Sequence, residues 1–99
     1  NAASGANTTG SYNVSIGASA LGANTTASNN TAVGYAALLA NTTGDHNAGT
    51  GKQALLANTT GASNTAMGAE SLLSNTTGDA NTAVGIPQHL TTQQSVEVL

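Results

Sequence analysis

Residues 24–40 read NTTASNNTAVGYAALLA, and this seventeen-residue unit is repeated with substitutions along most of the chain. The copies begin at Asn7, Asn24, Asn41, Asn58 and Asn75, with no insertion between them. A short repeat without interruption is typical of a solenoid, in which each copy forms one rung of a stacked coil. We therefore predict a β-roll, or β-solenoid, with 17-residue rungs over residues 1–86.

Between the second Asn of each copy and the Gly that follows it, tiny and bulky residues alternate. In the second copy, Ala32 precedes Val33, and Gly34 follows. This alternation, with β-branched residues, predicts a short strand that ends at a glycine bend, so the fold class is all-β and parallel. After the bend, through the Ala-Leu-Leu residues 37–39, we expect a second short strand, with one 3₁₀ or α turn there at most. A turn through Asn-Thr-Thr-Gly should follow, with glycines at positive φ, namely Gly44, Gly61 and Gly78.

Rungs stacked in register place Asn over Asn and Thr over Thr at about 4.8 Å. Two Asn positions are occupied by Asn in every copy. Buried Asn side chains can bond the backbone of neighbouring rungs, and Asn tolerates left-handed backbone geometry. We therefore expect two Asn columns, which contain Asn7, Asn24, Asn41, Asn58 and Asn75 in one, and Asn13, Asn30, Asn47, Asn64 and Asn81 in the other.

Each rung has few bulky apolar side chains, for example Val33, Leu38 and Leu39 in the second copy. Their burial within one chain is too small to offset the entropy lost by ordering seventeen residues. Two adjacent Leu residues cannot both face a narrow interior, so we expect one to point inward and the other toward a partner chain. This pattern predicts a homo-oligomer, with a homotrimer as the favoured form.

The composition excludes several classes of function. The chain has one Lys or Arg and four Asp or Glu, so it cannot neutralise a nucleic-acid backbone. It has no cysteine and no apolar run long enough to span a bilayer, so we expect no thiol chemistry and no membrane insertion by this segment. Asp45 and Asp79 fall on a solvated edge, and His46 and His89 occupy unrelated repeat positions. We therefore predict no enzyme, no catalytic site, no metal and no cofactor.

Positions that vary between copies are the candidate binding residues, because variation in a repeat maps to exposed loops. One set lies just before each predicted strand and the other just after each glycine bend. From these positions we predict a binding surface that includes Tyr12, Asn29, Tyr35, Asp45, His46, Lys52 and Asp79.

The two ends of the chain differ from the repeat. Residues 1–6 read like the end of an earlier copy, so we expect the array to continue upstream. Near the other end, Pro87 cannot donate to a strand ladder, and the sequence after it loses the repeat. We predict a C-terminal cap or junction over residues 87–99.

The stretches VSIGASA at 14–20, TAVGYAA at 31–37 and TAVGI at 82–86 resemble the head repeats of YadA-type trimeric autotransporter adhesins. They are also similar to arrays in tail-fibre-like proteins that end in a self-cleaving chaperone domain. The resemblance covers residues 7 to about 86. It implies a left-handed parallel β-roll in which three chains form a fibre exposed on a cell or virion surface. The adhesin repeat is usually a few residues shorter, and we assign the extra residues to the Leu-Ala-Asn-Thr-Thr turn.

These observations together predict an extracellular fibre segment that attaches to a cell, host or matrix surface through an unknown receptor, glycan or matrix protein. The alternative is an ice-binding β-solenoid that uses the threonine pairs as two columns. An ice-binding face requires outward Thr at alternating positions on a strand, whereas adjacent Thr between Asn and Gly favour a turn. Measurement of thermal hysteresis discriminates between the two hypotheses.

Overall fold

The computed structural model describes residues 3–85 and contains five short parallel strands. They are β1 (Val14–Ile16), β2 (Thr31–Val33), β3 (Ala48–Thr50), β4 (Thr65–Met67) and β5 (Thr82–Val84). The strands form one sheet in chain order, and each pairs with the next at an offset of seventeen residues, as in Val14 with Thr31. The predicted parallel β-solenoid with 17-residue rungs is confirmed for the described residues.

The interior of the coil is narrow and, in the first four rungs, is filled by one Leu and several small residues from each rung. The central residue of each strand points inward, and it is Ser, Ala or Gly in every rung. Gly49 shows why: a Cβ at that position would lie 3.5 Å from the Leu38 Cγ across the interior. The leucines at the centre are almost completely buried, namely Leu21, Leu38, Leu55 and Leu72.

The two leucines of each pair therefore have different environments. The prediction that one of them points into the coil is confirmed. Leu38 is fully buried, whereas Leu39, Leu56 and Leu73 are half-buried on the outside of the coil. Val33 does not contribute to the core, because the residue before each glycine bend faces outward. The direction of the second leucine toward a partner chain stays a prediction.

The prediction of a second strand at 37–39 is wrong. The chain instead makes consecutive tight turns, in which Ala37 N–H donates to Gly34 O and Leu39 N–H donates to Ala36 O, both at 3.2 Å. Ala36 and Leu38 have φ of 58° and 53°, so the backbone curls where a strand would extend. Non-glycine residues in this region cost about 1–2 kcal/mol each. Their N–H groups bond adjacent rungs, as Leu38 N–H does with Ala54 O at 2.9 Å, and these bonds hold the conformation.

The glycine after each strand has a positive φ, which is 130° at Gly34. The prediction of positive φ at the Asn-Thr-Thr-Gly turn is wrong for Gly44 and Gly61, which do not adopt it. Close approach favours glycine there: a Cβ at Gly44 would press on the backbone carbonyl oxygen of Gly61 and would lie 2.8 Å from Asn41 Oδ1. Ala27 has a Cβ at the equivalent position, so the turn favours a small residue but does not require glycine in every rung.

The first Asn column is a ladder of side-chain amides buried from the second rung onward. Asn41 Nδ2 donates to the carbonyl of Gly44 in its own turn at 3.0 Å, and to Asn24 Oδ1 in the preceding rung at 3.2 Å. Asn58 repeats both bonds, with Asn41 Oδ1 as its second acceptor at 2.9 Å. Each amide therefore closes its own turn and joins two rungs.

The second Asn column joins the rungs through the backbone. Asn47 Oδ1 accepts the backbone N–H of Asn64 at 2.9 Å, and Asn47 Nδ2 donates to Gly61 O at 2.8 Å. The same pair of bonds recurs from Asn30 to the following rung. The predicted burial of Asn side chains against neighbouring rungs is confirmed in both columns, and it explains why no other residue type occupies these positions.

The Thr-Thr-Gly part of each turn bonds to a single atom of the next rung. The N–H groups of Thr42, Thr43 and Gly44 all donate to Thr59 O, at 3.1–3.3 Å. The Thr42 hydroxyl donates to the same oxygen at 3.4 Å. Because four donors converge on one carbonyl, the turn is fixed in register with the rung that follows it.

The predicted cap or junction at 87–99 lies outside the described residues.

Candidate functional site

A row of exposed loop residues precedes the strands, and we call it the loop row. It has one residue per rung, all with φ between 58° and 63°. Its members are Tyr12, Asn29, His46, Ser63 and Ala80. Tyr12 is 85% exposed, and bulky side chains are uncommon in this backbone region. The three larger side chains are adjacent, on rungs one to three, so this part of the row combines an aromatic ring, an amide and an imidazole.

The predicted aspartates lie beside this row and have a structural role. Asp45 Oδ1 accepts the backbone N–H of Ser28 at 2.8 Å, and Asp79 Oδ1 accepts that of Ala62 at 2.8 Å. Ser28 Oγ accepts the N–H of Ser11 in the same manner at 3.0 Å. The column therefore holds adjacent rungs together. Asp45 and Asp79 are two rungs apart, separated by the rung that contains Ala62.

The other two predicted residues, Tyr35 and Lys52, lie in a second row just after the glycine bends, which we call the corner row. Tyr35 and Lys52 are both exposed and occupy equivalent positions on adjacent rungs, with Ala18 and Ala69 on either side. The seven predicted residues are therefore not brought together in one site. They form two rows, one at the start of the strands and one just beyond their ends.

Between the two rows lies a surface that the sequence analysis did not identify as a candidate site. The first and third residues of each strand point outward, and we call this surface the strand face. It exposes large apolar side chains, including Val14 (47%), Ile16 (59%), Met67 (52%) and Val84 (39%). The available signal was the tiny central residue of each strand. Only that residue fits the narrow interior, so its two bulkier neighbours must face outward.

The two threonine columns have different roles. The hydroxyl of the first Thr donates to the backbone of the next rung, as Thr25 Oγ1 does with Thr42 O at 3.3 Å. The second Thr of each pair is exposed, for example Thr43 and Thr60. Because one column is used in the fold, the turn does not present two columns of free hydroxyl groups.

Within residues 3–85, no three His, Asp or Glu side chains lie close enough to bind a metal ion together. His89, the second predicted loop histidine, lies outside the described residues. The described part of the chain also contains no helix that could cross a membrane. The candidate surfaces are therefore shallow rows of side chains on the outside of a rod.

We compared the chain with known proteins by sequence and by structure. The chain matches no family model, no curated protein and no solved structure.

Proposed function

We propose that this chain is a structural and binding segment of a homotrimeric surface fibre, with a left-handed β-roll like the heads of YadA-type adhesins or the related tail fibres. In this role it is extracellular, on a cell or a virion, and mediates attachment to a cell, host or matrix surface. The observation that carries the proposal is the strand face. Large apolar and threonine side chains share this face, and the large apolar ones lie on four of its five strands. A cluster of exposed apolar side chains of this kind marks an interaction site.

The strand face is suited to contact with protein because it holds no charged residue in any described strand. Interfaces combine an apolar centre with a polar rim. The corner row lies just beyond the ends of the strands and supplies part of such a rim through Tyr35 and Lys52. Assembly through this face also offsets the small core, which has one fully buried Leu in each of rungs one to four.

The assembly is tested by the mass of the protein in solution, measured by light scattering. We expect three times the chain mass of 9.5 kDa for the wild type. Met67→Lys places a charge in the strand face and should reduce the mass to that of one chain, because an unpaired charge is costly to bury. Thr60→Lys, on the exposed threonine column, is the matched control and should keep the wild-type mass. A folded wild-type monomer would contradict the proposal.

Attachment is assigned to the exposed side chains of the loop row, and glycine substitution tests it without disturbing the backbone. Tyr12 and His46 have φ of 60° and 63°, a conformation that glycine adopts readily. Tyr12→Gly with His46→Gly should therefore retain the fold and the trimer. We expect it to lose at least about tenfold in binding to an immobilised glycan or matrix-protein array, equivalent to about 1.4 kcal/mol. Ser63→Gly, in the same row, is the control, and equal binding by both variants would exclude the row.

Ice binding remains the alternative, and the fold weakens it in one respect. Hydroxyl groups of the first threonine column donate to backbone carbonyls, so only one free column remains at the turn. A fibre segment should show no thermal hysteresis, that is, no gap between the freezing and melting temperatures of ice in its solution. Ice shaping by the wild type, abolished by substitution of Thr43 and Thr60, would establish the alternative.

A further inference from the structure

The second leucines of the pairs form another apolar surface, which we call the Leu column. It consists of Leu39, Leu56 and Leu73, all half-buried and at equivalent positions on successive rungs. Gly22 takes the same position in the first rung, and a Cβ there would lie 3.0 Å from Leu39 Cδ1. Leu39 therefore extends toward the rung before it, and the three leucines repeat along the coil axis at the spacing of the rungs.

The Leu column is separate from the strand face. The chain turns at Gly34 and again at Ala36 and Leu38, all of which have positive φ, before it reaches Leu39. These bends separate the two surfaces along each rung. Neither surface contains a charged residue within the described rungs. A single chain thus presents two distinct apolar surfaces that run parallel to the coil axis.

The number of distinct surfaces bears on the symmetry of the assembly. A two-fold dimer uses the same surface on both chains, so it requires only one apolar face. A closed ring of three chains is heterologous, and each chain contributes two different surfaces to it. The presence of two apolar surfaces on each rung fits a ring and leaves one surface without a role in a two-fold dimer.

We propose that the strand face of each chain packs against the Leu column of the next chain, and that three such contacts close the trimer. The partner that fits is a second copy, because its rungs repeat at the same spacing of about 4.8 Å. Equal pitch keeps the outward residues of successive strands aligned with the three leucines of the neighbouring chain. This inference rests on the proposed trimer and specifies which surfaces meet within it.

The test uses one lysine substitution on each surface, Met67→Lys on the strand face and Leu56→Lys on the Leu column. We expect each variant alone to lose the trimer, since every contact in the ring requires both surfaces. An equimolar mixture should give a 1:1 pair by native mass spectrometry at millimolar chain concentration. In that pair the intact strand face of one variant meets the intact Leu column of the other. Circular dichroism verifies that both variants are folded, and Thr60→Lys is again the control.

The outcomes separate this inference from the proposed function. A wild-type monomer contradicts the proposed trimer itself. If the wild type is a trimer and Leu56→Lys remains a trimer, the Leu column is not part of the interface, and only the present inference is overturned. If both variants lose the trimer but the mixture contains no 1:1 pair, the two surfaces do not meet each other, which also overturns it.

Discussion

Substitution of Asn47 by alanine is expected to cost about 3 kcal/mol, a large part of the 5–15 kcal/mol that stabilises a typical domain. The Asn47 side chain is 1% exposed and bonds the N–H of Asn64 and the carbonyl of Gly61. Alanine leaves the Asn64 N–H buried without this acceptor, a loss of about 1–3 kcal/mol. The space left by the amide adds a further cost. The Gly61 carbonyl retains its bond from Asn58, so the damage centres on one N–H group.

Chemical denaturation at a fixed protein concentration measures this loss, since the stability of an assembled protein depends on its concentration. Asn29→Gly is the matched control. Asn29 is exposed at φ of 62°, where glycine is compatible, and a change within about 0.5 kcal/mol is expected. Equal effects of the two substitutions would show that burial of the amide does not stabilise the stack.

Gly51→Ala is expected to prevent the third and fourth rungs from stacking. A Cβ at this position would lie 2.7 Å from the carbonyl carbon of Gly68 and 2.9 Å from the backbone nitrogen of Ala69. Backbone atoms cannot move aside as a flexible side chain can, so the two rungs must separate. Gly51 also has a φ of 119°, which is unfavourable for alanine. We expect at least about 4 kcal/mol of destabilisation, at the upper end of single substitutions.

Gly85→Ala isolates the clash from the backbone strain. Its φ of 112° is similar, but no described atom lies within 4 Å of an added Cβ. Only the conformational cost should remain, about 1–2 kcal/mol. Thermal unfolding, followed by circular dichroism, gives the midpoint temperature of each variant for comparison with the wild type. If Gly85→Ala were as damaging as Gly51→Ala, strain and not contact between rungs would explain the glycine column.

Much of the fold could be predicted from the sequence because the repeat fixes the register. Once the copies coil, Asn30 must lie near Asn13 and Asn47, and buried amides at those positions follow from their hydrogen-bonding capacity. The conformation of residues 36–38 could not be predicted in the same way. Ala and Leu rarely adopt positive φ, and here bonds to both adjacent rungs hold them in it. The backbone preferences of Ala and Leu predict neither these bonds between rungs nor the tight turns that result from them.

The candidate site was predictable only in part. Variation between copies indicated which residues are exposed, and Tyr12, Tyr35 and Lys52 are on the surface as expected. Variation did not indicate the two rows, nor the apolar surface between them, because Val33 was assigned to the core. The direction of Val33 depends on how wide the coil is. That width is set by the leucine and the small residue opposite it, a property of the closed rung and not of the strand.

Every strand pairs only with those of the adjacent rungs, and the same amide bonds recur from one rung to the next. If seventeen residues were removed or duplicated in tandem, the rungs on either side of the change would therefore still stack on a rung that offers the same strand pairing and amide bonds. Gain or loss of one copy would change the length of the rod by about 4.8 Å. A lineage that carries this protein can thus adjust how far the rod reaches without inventing a new contact.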